Sequence, residues 1–225
     1  MPKLYYFYKM NNIEKEIYSI IDSIKNELKK PLPGIESQLR MAPKSRLENL
    51  LQKTEDSKKS GVLLLLYYKN DNLHLVFIKR AVNGSVHSGQ ISFPGGKYDE
   101  GDNDLIYTSL RETHEEIGVK PSEIEILGNL TTLFIPVSNY IVFPCIGYCA
   151  KKPDFVLNES EVDGLIEIPL KDFLDEQNLI LDLVEVRGTQ FEVPVFKVKE
   201  NKIWGATAMI MNEFVHLLKK MNLEF

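Results

Sequence analysis

Two apolar runs separated by three polar residues set the first constraint on this chain. "GVLLLLYYK" (61–69) and "LHLVFIKR" (73–80) flank "NDN", the pattern of two strands joined by a tight hairpin turn. Strand material recurs from there. "GQISFPGG" (89–96) reads as a short strand running into a tight glycine loop, and further strands are expected at roughly 124–134 and 139–149. Pro144 inside the second of these predicts an edge strand or a bulge. "VDGLIEIPL", "LVEVRG" and "FEVPVFKV" add more strand. Helices interleave at 103–117, in the short "LKDFLDEQ", and in "WGATAMIMNEFVHLLKKM", where Ala208, Ile210, Met211, Phe214, Leu217 and Leu218 are available for burial. The expectation is a mixed sheet with helices on its faces, α/β or α+β. A chain of 225 residues can bury such a core without disulfide support.

Ahead of the strands, residues 11–30 carry Ile13, Ile17, Ile20, Ile21, Ile24 and Leu28 at helical spacing, and the run stops before "PLPG". This predicts an amphipathic N-terminal extension (1–30) preceding a main domain (31–225). Its apolar stripe could pack on the main domain or on a second copy in a homodimer. Residues 31–60 read as a polar connection with one short helix at "SRLENLLQK". The net charge of −5 provides no electrostatic footprint for nucleic acid. The longest apolar run is far too short to span a membrane, and the opening segment lacks a signal-type apolar stretch. Cys145 and Cys149 fall on one side of a strand and read as small core residues; a reduced, cytoplasmic protein is expected.

The segment "LRETHEEIGV" (110–119) is harder to explain by folding alone. On a helical wheel, Ile106, Leu110, Thr113 and Ile117 fall within about 60° and form a core-facing stripe. Glu112, Glu115 and Glu116 fall within about 100° on another face. Such like-charge pairs cost a helix a few tenths of a kcal/mol each, and acids near its C-terminal end oppose the macrodipole. A divalent cation removes the conflict, because hard carboxylate oxygens on one rigid face suit Mg2+ or Mn2+. Arg111, four residues before Glu115, can brace one carboxylate, and Gly118 can end the helix in the left-handed conformation. An isolated acidic cluster of this kind is usually a solvated helix face. Here "FPGGKYDEGD" stands directly upstream, a glycine turn whose backbone can approach a ligand, and the joint pattern is far more specific.

"GGKYDEGDNDLIYTSLRETHEEIGV" (95–119) resembles the Nudix box, G-x5-E-x7-R-E-U-x-E-E-x-G-U with U aliphatic, at Gly96, Arg111, Glu112, Glu115, Glu116, Gly118 and Val119. Thr113 stands where an aliphatic residue is usual. The spacing from Gly96 to Arg111 is one residue longer than the usual form, and the loop acid is Asp102, for which a helix N-cap role is the alternative to a metal-site role. The longer loop is typical of the family's coenzyme A diphosphatase branch. "VFIKRAVNGSVHSGQISFPGG" (76–96) is similar to that branch's signature at Arg80, Ala81, Gly89, Phe93, Pro94, Gly95 and Gly96, with Ser85 where a second arginine is expected.

The resemblance implies an α/β/α sandwich with a mixed central sheet. It also implies Mg2+- or Mn2+-dependent hydrolysis of a small nucleoside diphosphate derivative, with coenzyme A or acyl-coenzyme A the leading candidate. Alternatives are ADP-ribose, a dinucleotide or a nucleoside triphosphate as substrate, or a ligand sensor without turnover. Glu112 and Glu116 are the expected principal metal ligands, with Glu115 binding directly or through water, the Gly96 carbonyl a weaker candidate and Arg111 positional. Glu161 is the candidate general base, with Glu159 in reserve. Arg80, Lys97 and the Gly95 backbone are expected at the phosphates; Lys79, Arg40 and Arg46 are weaker candidates. His114 lies off the carboxylate arc and reads as a surface residue, while His87 could be called a ligand or a base. Trp204 could stack on a base but more commonly such a residue is core.

Overall fold

A computed structural model describes residues 12–43, 56–81, 89–186 and 188–221. Helix α1 (Asn12–Glu27) and the short α2 (Gly34–Leu39) lead into β1 (Lys58–Lys69) and β2 (Asn72–Arg80). These strands form the expected hairpin, with Lys69 opposite Asn72. Asn70 and Asp71 both take positive φ, 48° and 58°. Such two-residue turns match the twist of the flanking strands, and Asn and Asp tolerate that backbone region best among side-chain-bearing residues.

Next come β3 (Ile91–Ser92), β4 (Gly95–Lys97), α3 (Leu105–Ile117), β5 (Glu125–Asn129), β6 (Leu133–Ile135) and β7 (Tyr140–Cys149). The described chain closes with β8 (Val162–Pro169), α4 (Leu170–Leu174), β9 (Leu179–Val186), β10 (Thr189–Val198), β11 (Asn201–Ile203) and α5 (Gly205–Lys220). Among the described residues, eight strands make one mixed sheet, ordered β3-β2-β1-β7-β5, with β4 on β1, β6 on β7 and β8 on β2; β9, β10 and β11 form a second sheet. The β1–β7 pair is parallel.

The unbroken run Leu63–Tyr67 is fully buried because the main sheet is covered on both faces. Alternation sends Leu63, Leu65 and Tyr67 to one face, where they pack with Val76, Ile78, Ile117 and both cysteines. Leu64 and Leu66 point to the other, among Ile21, Ile24, Phe77, Phe214 and Leu217 from α1, β2 and α5. The result is an α/β/α sandwich. Cys145 and Cys149 are buried and unbridged, and burial pushes their thiols up to about 11 and about 12. The α1 stripe packs on the chain's own core through Ile17, Ile21 and Ile24, with Tyr18 edge-on to Tyr148 and Lys25 paired with Glu125. All six apolar residues expected of α5 are buried. Among the described residues no helix is long and apolar enough to cross a membrane. The short helix expected at 45–53 lies outside the described residues.

Four expectations need correction. Part of the stretch expected as a polar connection is helix α2, and Met41 and Ala42 after it are buried in the core. Gly95 and Gly96, expected in a tight loop, lie in β4 and pair with Val62 and Gly61 of β1. The strand expected at 124–134 is two strands, since β5 and β6 pair with separate stretches of β7. Between them Leu130 N–H donates to the Pro144 carbonyl (2.9 Å). Pro144 therefore lies in an interior strand, between β1 and the β5/β6 side. An extended residue's N and C=O point the same way, so its missing N–H faces the break between β5 and β6, where the ladder is already interrupted.

One buried charge ties the helical layer to a loop. Glu213 on α5 is fully buried. It accepts from Gly34 N–H (3.1 Å), Gln38 Nε2 (2.7 Å), and the Thr131 N–H (3.2 Å) and hydroxyl (2.6 Å). Truncation to alanine would leave the Gly34 and Thr131 donors without this acceptor and Gln38 Nε2 with the Thr131 carbonyl alone. Glu213→Ala is expected to lower the unfolding free energy by about 3 kcal/mol or more, measured by urea denaturation.

Candidate active site

Helix α3 is positioned by its ends and by close glycine contacts. Asp104, extended at φ −161°, caps the N-terminus by accepting from Tyr107 N–H (2.7 Å). The cap is thus Asp104, and the N-cap role considered for Asp102 is corrected. Gly118 stops the helix at φ +77°, its N–H bonded to the His114 carbonyl, as its sequence position predicts. Along its length the helix lies against β1 and β4 so closely that side chains on two glycines would collide with it. A Cβ on Gly61 would lie 2.4 Å from the Leu105 carbonyl oxygen, and one on Gly96 would lie 2.1 Å from Glu112 Oε2.

Arg111 organises the face that results. Nε and Nη2 hold the two oxygens of Asp102 at 2.9 and 3.0 Å. Nη1 reaches Glu112 (2.9 Å) and Glu115 (3.1 Å), and Nη2 also donates to the Lys97 carbonyl (3.0 Å). The sequence suggested only the Glu115 contact. Asp102, buried, also accepts from Asp99 N–H and the Thr108 hydroxyl, so its capacity is taken up as Arg111's anchor. The Arg111 hydrogen bond, aided by the other donors, holds the Asp102 carboxyl well below the usual range. Asp102 holds the guanidinium well above its own.

The three helix carboxylates differ sharply in exposure: side chains are 15% exposed at Glu112, 51% at Glu115 and 2% at Glu116. Glu116 is thus the buried member of the carboxylate arc. Its Oε2 accepts from Gly95 N–H (2.8 Å) and its Oε1 lies 3.7 Å from Arg80 Nη1. Burial pushes its carboxyl up to about 8, against the Gly95 hydrogen bond and Arg80; Glu112 and Glu161 add repulsion. Burial also raises Glu112, with Arg111 opposing and Glu115 and Glu161 contributing. Glu161 thus shares the field of both carboxylates. Its loop is fastened to the end of α3 by Val156 N–H to the Ile117 carbonyl and Asn158 N–H to the Glu116 carbonyl, both 3.0 Å.

The structure brings together Glu112, Glu115, Glu116, Arg111, Arg80, Gly95, Gly96 and Glu161. Lys97 joins through its carbonyl, and its side chain is exposed. Alternation points Lys79 away from the face that carries Arg80. Arg40 pairs with His216 on α5, across the sheet from α3. His114 and Glu159 are exposed, and Trp204 precedes α5, packed on Val184, Val193 and Val195. Arg46, Ser85 and His87 lie outside the described residues. Reading the sequence missed Asp102 as anchor, the Arg80–Glu116 contact and Asn158. Arg80 and Asp102 carried a signal, their places in the two motifs, but their partners did not.

Among the described residues no three acidic, histidine or cysteine side chains converge on one point. The donor set nevertheless fits a hard divalent cation: oxygens only, on one rigid helix, with a buried carboxylate whose Oε1 has an arginine no nearer than 3.7 Å.

Replacing Arg111 by lysine would remove the paired grip on Asp102. Arg111→Lys is expected to cost about 2 kcal/mol in thermal or urea unfolding at neutral pH. Because Asp102's folded pKa is depressed, its contribution to stability is complete above its unfolded value of about 3.9 and declines as pH falls through and below it. The gap between wild type and Asp102→Asn should accordingly hold from pH 7 to 5 and narrow in stronger acid.

Comparison with known proteins gives the family. The NUDIX domain model matches residues 57–184. Nudix hydrolase 15, mitochondrial, of Arabidopsis thaliana is 34% identical over 161 residues, 68% of this chain and 56% of the plant protein, so the match spans little more than half of that relative. The uncharacterized Nudix hydrolase NudL of Yersinia pestis is 35% identical over 149 residues, 66% of this chain and 73% of the relative. In fold, the chain resembles the M. smegmatis Nudix hydrolase RenU (TM-score 0.50, 12% identity, 75% of this chain and 90% of that one). A MutT/nudix family protein from Enterococcus faecalis is similar at TM-score 0.50 and 15% identity, over 84% of this chain and 75% of that one. The box helix, its arginine brace and these matches together show that the chain belongs to the Nudix hydrolase family.

Proposed function

We propose that this protein hydrolyses the pyrophosphate bond of a nucleoside diphosphate derivative, with coenzyme A or acyl-coenzyme A as substrate. The observation that carries the reading is a buried Glu116 held between Gly95 N–H on β4 and Arg80, within the field of Glu112 and Glu161. Glu112, Glu115 and Glu116 would hold Mg2+ or Mn2+, with the Gly96 carbonyl beside them; when bound, such an ion neutralises phosphate charge and acidifies an attached water. Arg80 and Lys97 contact the phosphate oxygens, and the Gly95–Gly96 backbone allows the pyrophosphate to approach closely. Water attacks one phosphorus while Glu161 takes its proton, the bridging P–O bond breaks, and the second phosphate leaves as the other product. From coenzyme A the products are adenosine 3′,5′-bisphosphate and 4′-phosphopantetheine.

The coenzyme A assignment draws on the motif at Arg80, Ala81, Gly89 and Phe93–Gly96. Arg80 from that motif meets Glu116 from the box, which supports reading the two as one site. Ser85, where a second arginine would stand, favours a second reading in which ADP-ribose, NADH or a nucleoside triphosphate is the substrate.

Purified protein with Mg2+ and each compound separately, analysed by product mass, distinguishes these readings. Release of 4′-phosphopantetheine in strong preference to other products is expected; turnover of ADP-ribose alone would move the assignment to the second reading. Glu116→Gln should reduce turnover by roughly three orders of magnitude with circular dichroism unchanged. Near-normal activity in that variant would remove Glu116 from the ligand set.

A further inference from the structure

The loop before β8 carries Glu161, and Asn158 makes most of the hydrogen bonds that shape it. The Asn158 N–H donates to the Glu116 carbonyl (3.0 Å), and its carbonyl accepts from the N–H groups of Glu161 (3.0 Å) and Val162 (2.9 Å). Its side-chain oxygen accepts from the Ser160 N–H (3.2 Å) and hydroxyl (2.7 Å). A backbone N–H can only donate, so the amide oxygen must face Ser160 and Nδ2 must face away. There Nδ2 donates to Glu161 Oε1 at 3.3 Å. The Glu161 carbonyl in turn accepts from Ala81 N–H (2.9 Å), the residue after Arg80.

We propose that Asn158 is a positioning residue for the reaction, fixing the Glu161 carboxylate relative to the acidic face of α3. This rests on Glu161 being the general base. An exposed glutamate on a loop is free to rotate, and a proton acceptor displaced by an ångström loses much of its effect. Asn158 removes that freedom at both levels. Through Glu116 it ties the loop backbone to the helix that bears the other carboxylates. Through Nδ2 it holds one oxygen of Glu161 and leaves the second to accept a proton. A neutral amide suits this task because it donates to the carboxylate without adding charge.

Two substitutions separate positioning from turn-building. Asn158→Asp keeps the shape and the acceptor for Ser160 but sets a second carboxylate against Glu161; Asn158→Ala removes both contacts. With Mg2+ and coenzyme A, or ADP-ribose if that is the compound turned over, both variants should lower kcat about tenfold or more, with KM within about threefold of wild type. In a Glu161→Gln background, itself strongly impaired, adding Asn158→Ala should change kcat by less than about twofold, because the group it positions has gone. Unchanged melting temperatures would keep these comparisons free of folding losses. Wild-type kcat in Asn158→Asp would reduce the residue to a turn former and overturn the proposal. So would a full Asn158→Ala loss persisting in the Glu161→Gln background. Wild-type kcat in Glu161→Gln alone would instead sink the assignment of the base, and the positioning role with it.

Discussion

The five-donor guanidinium of Arg111 is the interaction on which the site depends. Like charges at 112, 115 and 116 would splay apart if left to themselves. Arg111 meets Glu112 and Glu115 with one nitrogen and anchors its other nitrogens on Asp102 and the Lys97 carbonyl. A planar fork can serve both directions at once, which a lysine ammonium cannot. The anchor matters as much as the brace. Asp102 is itself held by Asp99, Thr108 and Tyr98, so the arginine's position is inherited from the loop before the helix.

Glycine contacts set the second constraint. Gly61 lets α3 approach the start of β1, and Gly96 leaves room for the Glu112 carboxylate beside β4. That approach also buries Glu116 between Gly95 N–H and Arg80. A buried carboxylate with few donors is costly, and its raised pKa records that cost. A cation bound at this position would repay it, which is a physical reason for a folded protein to keep such an arrangement.

Much of the architecture was legible from local pattern. The hairpin, the helix stop at Gly118 and the buried face of α5 follow from periodicity and turn chemistry, which act over a few residues; Gly95 and Gly96, expected in a tight loop, instead pair with β1 as part of β4, a contact between distant segments. Pro144 was misread because its tolerance depends on where β5 ends and β6 begins, on another strand. That Glu116 is the most buried of the three carboxylates was not legible, because a wheel gives angles and not the distance to the neighbouring strand. Asp102 and Asn158 were missed for a related reason. Arg111 lies nine residues from Asp102 around a loop, and Asn158 bonds Ser160 and Glu161 within an irregular loop and Glu116 on another element, so no periodic spacing marks these contacts. Ser85 and Arg46, both weighed from sequence, lie outside the described residues.

The central claim is that the Glu112–Glu115–Glu116 face exists to hold a divalent cation, and metal binding tests it without reference to any substrate. Mn2+ titrated into the purified protein can be followed by the loss of the free-ion electron paramagnetic resonance signal. Saturable binding is predicted, with the affinity falling at least about tenfold in Glu116→Gln and in Glu112→Gln while Glu159→Gln leaves it unchanged. Absence of saturable binding, or equal affinity in all four proteins, would contradict the account.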